Sequence, residues 1–492
     1  MHPSPTPTIL TIDAGTSALK AALYDASGRL LGVAASGYGY RRPQPGWAEA
    51  DPRDWWAGLV DALTDLRTQR FDLAAVRILG VTGQMHAPVL LDEAGEPLDP
   101  TILWLDNRAA EETAWLQAHL GLPPHQLNSA YTLPKLLWLA RHRPDVLAKT
   151  RTLLWPKDYI RHRLTGRALT DVTEAAGAAL LDWETRAWAL DRLALTGLDA
   201  SVLPPLVPAD ADAGPLLPAV ATALGLSPDA RVIVGAGDVL ALMGGAPPRV
   251  GRLTCSLGSS AMLSSPLAPE QTLDDPASRL YVFPFLPYRL LNGVLSTGGA
   301  ALTWARRALY NEEEEIAALV DAALATPPGA DGLFFLPFLT GARSPYWSDD
   351  LRGGFYGLTL SHGRAHMVRA ALEGVAYSLR HALEIAAELG APMDEIALAG
   401  GGASVPGWPQ IMADVCQRPV VIYAGRETVT RPLYAYCAAA LGSAPSFDAA
   451  LAGAFTEEPH HFTPNPALSP VYAANFNRYR ALADFVAGDD FK

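Results

Sequence analysis

The chain has 492 residues but only three cysteines, Cys255, Cys416 and Cys437, none of them in a CxxC pair. That excludes a disulfide-stapled scaffold and the common zinc motifs, and it fits a reducing compartment. Positive charge is also scarce. With 38 Lys and Arg against 51 Asp and Glu, the net charge is −13, which excludes the basic surface of a nucleic-acid binder. An anionic small molecule stays admissible, because a site can be positive locally or offer backbone N–H groups. No apolar run is long enough to span a membrane, and MHPSPTPTIL at the start lacks the basic-then-apolar order of a leader peptide. The expectation is a cytoplasmic protein with neither nucleic acid nor membrane as partner. GxxxxGK[ST], HExxH and GxSxG are missing, and GAGDVL (235–240) lacks the third glycine of a dinucleotide fingerprint.

What is present is a large interior. Hydrophobic residues make up 49% and charged residues 18% of a chain too long for one core. Strand-like runs alternate with helical patterns, which predicts an α/β protein. ILTIDAG (9–15), ALKAALYD (18–25) and GRLLGVAASGY (28–38) read as successive antiparallel strands. A helix is expected from Asp51 to Arg70, opened by an Asp-Pro cap, and VRILGVTGQM (76–85) reads as a buried strand with a polar tip. The second half repeats the order with GRLTCSL (251–257), SAMLSSP (260–266) and RLLNGVLSTGG (289–299). A long helix is expected over 366–389.

The repetition extends to single residues. Set Gly15 over Gly258, and Leu10, Thr11, Ser17 and Ala18 fall on Leu253, Thr254, Ser260 and Ala261, half a chain away. Two related halves are expected, 1–243 and 244–492, with a junction in the small-residue and proline stretch 240–251 and a cleft between them. Each half would carry a glycine turn at a hairpin tip, where bare backbone can approach a phosphate oxygen. Gly15, Thr16 and Ser17 form one turn, and Gly258, Ser259 and Ser260 the other. Each alone could be an ordinary hairpin turn; the duplication favours a clamp on a nucleotide's phosphates. Asp13 would then hold Mg²⁺, through water. A third glycine run, Gly400 to Gly402, follows a strand at 396–398 and enters a helix, and is where an adenosine would lie.

In order and spacing, DAGTSALK, GQMHAPVLLDEAGEPLDPTILWLDNRA, WPKDYIRHRLTG, SLGSSAML and AGGGASVPGWPQIMADV resemble the FGGY carbohydrate kinases, nearest the xylulokinase branch. The resemblance implies two ribonuclease-H-like (actin-like) domains, ATP with Mg²⁺, and phosphorylation of a sugar hydroxyl, D-xylulose in that branch. It assigns Asp238 as the base that takes the hydroxyl proton, with Asp13 beside it in catalysis and as the metal ligand. Met85 and His86 fall on a sugar-binding pair, and Asp106 and Tyr131 on the sugar side. Asp106 could equally pair with Arg108. Gly258, Ser259, Gly299, Gly401 and Gly402 fall on nucleotide contacts, and Thr303 on the base edge. Lys157-Asp158-Tyr159 is expected to support packing. A homodimer is left open.

The sequence departs from the family pattern at several points. Val239 stands where Asn usually follows the base, Ala342 replaces a Glu, and Arg431, Tyr434 and Tyr436 add bulk close to the expected nucleotide domain. These touch the sugar's identity more than the phosphate machinery. Another ketose, polyol or sugar acid is the second expectation, and a non-catalytic ATP-binding module the third.

Overall fold

The computed structural model describes residues 8–488, except 269, 272, 274, 286, 287, 311–313, 349 and 426. The described residues fall into two compact units. The first comprises 8–244, 284–285 and 427–456, and the second 245–283, 288–425 and 457–488.

The first unit is built on a six-stranded sheet. Its order is Leu30–Gly37, Ala18–Asp25, Thr8–Ala14, Val76–Gly83, Arg231–Ile233, Asp212–Pro215. The first three strands are antiparallel, the next two join in parallel, and the last edge is antiparallel. Thr8–Ala14 lies inside the sheet and is buried on both faces, as its unbroken apolar run demands. The Pro52–Thr68 helix begins where Asp51 accepts from Arg53 N, with Pro52 in the first turn. It buries Trp55, Leu59, Leu63 and Leu66 at helical spacing. A satellite core around Leu133, Leu136, Trp155 and Leu180 underlies the segment after Gly83.

The second unit repeats the plan on seven strands. The order is Tyr281–Phe285, Tyr288–Leu295, Ala261–Pro266, Arg252–Leu257, Glu395–Ala399, Val420–Ile422, His460–Phe462. Antiparallel hairpins again give way to two parallel joins and an antiparallel edge. Tyr281–Phe285 is an added edge strand with no counterpart in the first sheet. The Arg364–Glu388 helix, 25 residues long, is the spine of this core, against Leu253, Leu263, Phe335 and Trp408. The two hairpins differ in one detail. Ala14 faces Leu19, whereas Leu257 faces Ala261, so the second turn is one residue tighter.

The Thr430–Leu441 helix belongs to the first unit, although it follows most of the second in sequence. Leu433 and Cys437 press on Gly80 in the sheet. Tyr434 lies 5.0 Å from Tyr24, ring centre to ring centre, and donates to the Ala26 carbonyl. Arg431 reaches the Gly244 carbonyl at 3.2 Å. The helix that carries these residues therefore packs on the first unit's sheet, a placement the sequence reading did not foresee. An amphipathic helix takes whichever apolar sheet face the chain returns to, and its own pattern does not name that face.

Candidate active site

In the first unit the chemistry gathers at the ends of the central strands. Asp13 sits opposite Lys20 across the hairpin and beside Thr82 on the parallel side. Lys20 also pairs with Glu427 at 3.2 Å. Burial pushes the Asp13 carboxyl up to about 6, with Lys20 pulling it down and Glu427 pushing it further up. The following turn is held firmly. Gly15 N donates to Ala18 O at 3.1 Å, and Gly15 O accepts from Tyr38 Oη at 2.7 Å and Gln84 Nε2 at 3.3 Å. Thr16 Oγ1 accepts from the Trp104 indole at 3.0 Å, and Ser17 stays exposed.

Asp238 opens a short helical turn, Asp238–Leu242, after Gly237. Although solvent reaches Asp238, protein crowds the carboxyl. Burial first, then the charge of Asp13, push it up to about 7. A carboxyl raised by burial and by a neighbouring carboxylate is poised for proton transfer near neutrality, and the two together suit a cation. The neighbouring donors are hard oxygens: Gln84 Oε1, at the adjacent strand end, is buried without a hydrogen-bond partner among the described residues. That donor set suits Mg²⁺, which takes one or two carboxylates and keeps water and phosphate as its other ligands.

Met85 and His86 follow the Val76–Gly83 strand, and the backbone turns sharply to place them. His86 has φ of 73°, a left-handed conformation costly for a non-glycine residue. Several bonds hold it there. Its Nδ1 donates to Gly177 O at 2.6 Å, and its carbonyl accepts from Thr132 Oγ1 at 3.0 Å and Lys135 Nζ at 3.1 Å. Lys135 is fully buried, and burial pulls its ammonium down to about 7. The Tyr131 ring stacks on His86 at 4.8 Å, while its hydroxyl donates to His125 O. Met85 packs so closely between Gly177 and Gly237 that a Cβ at either would lie 2.7 Å or 2.5 Å from its side chain. Met85 thus leans directly on the residue before Asp238.

Asp106 is taken up elsewhere. Oδ1 accepts from Arg108 N and Nε, and Oδ2 from Ala48 N and Arg108 Nη2. The Arg108 guanidinium lies 3.6 Å from the Trp47 ring. The carboxylate is buried and its oxygens are occupied, so it is a structural pair and not a sugar ligand. Lys157-Asp158-Tyr159 lies in a buried ionic lattice. Lys157 Nζ is 2.6 Å from Asp158 Oδ1 and 3.1 Å from Asp171 Oδ1, and Arg161 Nη1 is 2.6 Å from Asp158 Oδ1. Burial pulls the Lys157 ammonium down, but Asp158, Asp171 and Glu174 more than reverse this, and its affinity for the proton ends above the usual lysine value. Glu174 is the odd member. Both its oxygens lack partners among the described residues, and burial raises it well above the usual carboxylate range against the pull of Lys157.

The second unit brings its three glycine segments together. Gly299 N donates to Gly258 O at 2.7 Å, and Gly298 N and Ala300 N donate to Ser259 O. The hairpin turn is thereby fastened to the start of the Ala300–Leu309 helix, with Thr303 Oγ1 at 3.4 Å from Gly299 O. Gly400, at φ of 82°, lies against the Leu257 backbone, and Gly402 against its side chain. Gly258, Ser259 and Gly401 are exposed, while Gly258 N is itself engaged by Ser256 O at 3.3 Å.

Trp104 escaped the sequence reading. It is 43% exposed, yet its indole is tied to the first glycine turn. The available signal was a Trp two residues before Asp106 in a run otherwise apolar.

Residues 8–244 match the FGGY family of carbohydrate kinases, N-terminal domain, and 253–431 match its C-terminal domain. The chain belongs to the FGGY family of carbohydrate kinases. It is accordingly a sugar kinase, a phosphotransferase of a family that uses ATP as phosphate donor. The xylulose kinase of Escherichia coli K12 is 34% identical over 82% of this chain and 84% of its own length. A gluconokinase from Bacillus licheniformis is 29% identical over 84% of each. The structure of a ligand-bound xylulose kinase from Lactobacillus acidophilus superposes with a TM-score of 0.89 at 26% identity, covering 99% of this chain and 100% of that one. The FGGY fold, with its actin-like relatives, is thus established for both units.

Proposed function

We propose that this FGGY kinase phosphorylates D-xylulose, giving D-xylulose 5-phosphate and ADP. The observation that carries the reading is the packing of Met85 between Gly177, which His86 also touches, and Gly237, which couples the candidate sugar-side pair to the candidate base Asp238. The similarity to xylulose kinases over most of the chain supports the choice of sugar.

In this mechanism Asp238 accepts the proton of the attacking hydroxyl while the oxygen bonds to the γ-phosphorus of ATP and the bridge to ADP breaks. Asp238 must be ionised, and a base placed in this way contributes ~10²–10⁴ in rate. Phosphoryl transfer asks little covalent help of the protein, so positioning and charge carry the rest. Asp13, with Gln84 Oε1 as a neighbouring oxygen, would hold Mg²⁺, which offsets charge on the phosphates. The turns at 15–17 and 258–260 supply phosphate donors, and Gly401, Gly402 and Thr303 flank the nucleoside.

A second reading is a sugar acid such as gluconate, favoured by Val239, whose side chain cannot hydrogen-bond a sugar hydroxyl, and by the similarity to a gluconokinase. Competition assays with both sugars in one reaction separate the two. A kcat/KM for gluconate exceeding that for D-xylulose would replace the first reading with the second.

A further inference from the structure

The six-residue Val172–Gly177 helix is buried throughout and touches both segments the proposed reaction needs. At its C-terminal end, Gly177 O accepts a hydrogen bond from His86 Nδ1. Near its start, Thr173 Oγ1 donates to Asp171 Oδ2 at 2.7 Å and accepts from Gly237 N at 2.9 Å. The direction of this relay is fixed by chemistry. A carboxylate only accepts and a backbone N–H only donates, so the hydroxyl proton must point at Asp171, leaving a lone pair for Gly237. Asp171 is anchored in turn by Lys157 and by capping Thr173 N. The lattice therefore ends on the amide immediately before the candidate base.

Such a lattice is a poor way to gain stability. Desolvating several charges offsets most of the attraction between them, and apolar replacements are often as stable. What it supplies is fixed geometry. We infer that Thr173 is a positioning residue for Asp238, transmitting the rigid Lys157–Asp171 lattice to the Gly237 amide. The inference rests on the reading of Asp238 as the base. The same helix steers the sugar-side histidine, so base and sugar site share one support.

The test is Thr173→Val, which keeps the shape and removes both bonds, compared with Thr173→Ser, which keeps the hydroxyl. In full-length protein, kcat for sugar phosphorylation should fall 10- to 100-fold in the Val variant, since misplacing a reacting group by ~1 Å costs on the order of 10². KM for ATP should stay within twofold, and Ser should restore kcat to within threefold of wild type. Amide hydrogen exchange, read by mass spectrometry on the peptide containing Gly237, should quicken at least tenfold in the Val variant and not in the Ser variant. Thr173→Ala takes its place if the Val variant does not accumulate as folded protein. A kcat within twofold of wild type, or a Ser variant as impaired as the Val variant, overturns the inference. If the wild-type chain phosphorylated no sugar, the proposed function would fail separately, and the exchange comparison alone would decide the Thr173–Gly237 link.

Discussion

Gly237→Ala probes the coupling between Met85 and the candidate base Asp238 with a single methyl group. The backbone at Gly237 has φ of −59° and ψ of 171°, which alanine adopts freely, so no conformational strain enters. The added Cβ would sit 2.5 Å from Met85 Cγ and 2.6 Å from Sδ. Ordinary carbon contacts need 3.5–4.0 Å, so Met85 or the Asp238 turn must move by about 1 Å. Met85 cannot swing far, because Gly177 bounds it on the other side. Overpacking of this kind costs about 1–3 kcal/mol of stability. Displacement at the reacting centre should lower kcat about 10²-fold and raise KM for the sugar, with KM for ATP unchanged. Steady-state kinetics with each substrate varied, together with thermal melting, reads all three. A variant with kcat and sugar KM within twofold of wild type would refute the coupling between Met85 and Asp238.

Gly402→Ala should show the opposite kinetic signature. Its Cβ would lie 2.2 Å from Leu257 Cδ2, so KM for ATP should rise several-fold while KM for the sugar holds, as substrate-saturation curves will show. The base needs its carboxylate, and Asp238 is pushed up to about 7; kcat/KM should therefore drop as pH falls below neutrality, and a flat profile from pH 8 to 5 would contradict the assignment. In stability the sign is reversed. The folded state binds more protons than the unfolded one between the ordinary carboxylate pKa of 3.8 and about 7, so its stability falls as pH rises through that window. Asp238→Asn should thus gain in melting temperature over wild type at pH 8 and lose that advantage near pH 4. Lys157→Met leaves Asp158 and Asp171 without their ammonium and should cost about 3–5 kcal/mol in denaturant unfolding. Glu174→Gln, which keeps the shape of a buried carboxyl that has no hydrogen-bond partner among the described residues, should cost little in the same assay.

Much of the fold was legible because the chain says it twice. The match of Leu10, Thr11, Ser17 and Ala18 to Leu253, Thr254, Ser260 and Ala261 located both hairpins, and each is a sheet hairpin with its glycine turn at the tip. The long helix expected at 366–389 runs from Arg364 to Glu388, its apolar spacing being set by one buried spine. What escaped depends on contacts between distant residues. The return of 430–441 to the first sheet rests on Leu433 and Cys437 meeting Gly80, 353 and 357 positions earlier in the chain, and no local pattern carries that. Trp104 reaches Thr16, and Thr173 reaches Gly237, by the same kind of long-range meeting. Asp106 was legible only as an alternative, the sugar or Arg108, and the structure shows it paired with Arg108 two residues on.

The most direct test of the account is ADP release by the full-length chain with ATP and Mg²⁺ over a panel of ketoses, polyols and sugar acids, with Asp238→Ala measured alongside. The account predicts the fastest turnover on D-xylulose, its loss on adding a chelator, recovery with Mg²⁺, and at least a 10²-fold fall in the variant. Turnover in Asp238→Ala equal to wild type would contradict the mechanism.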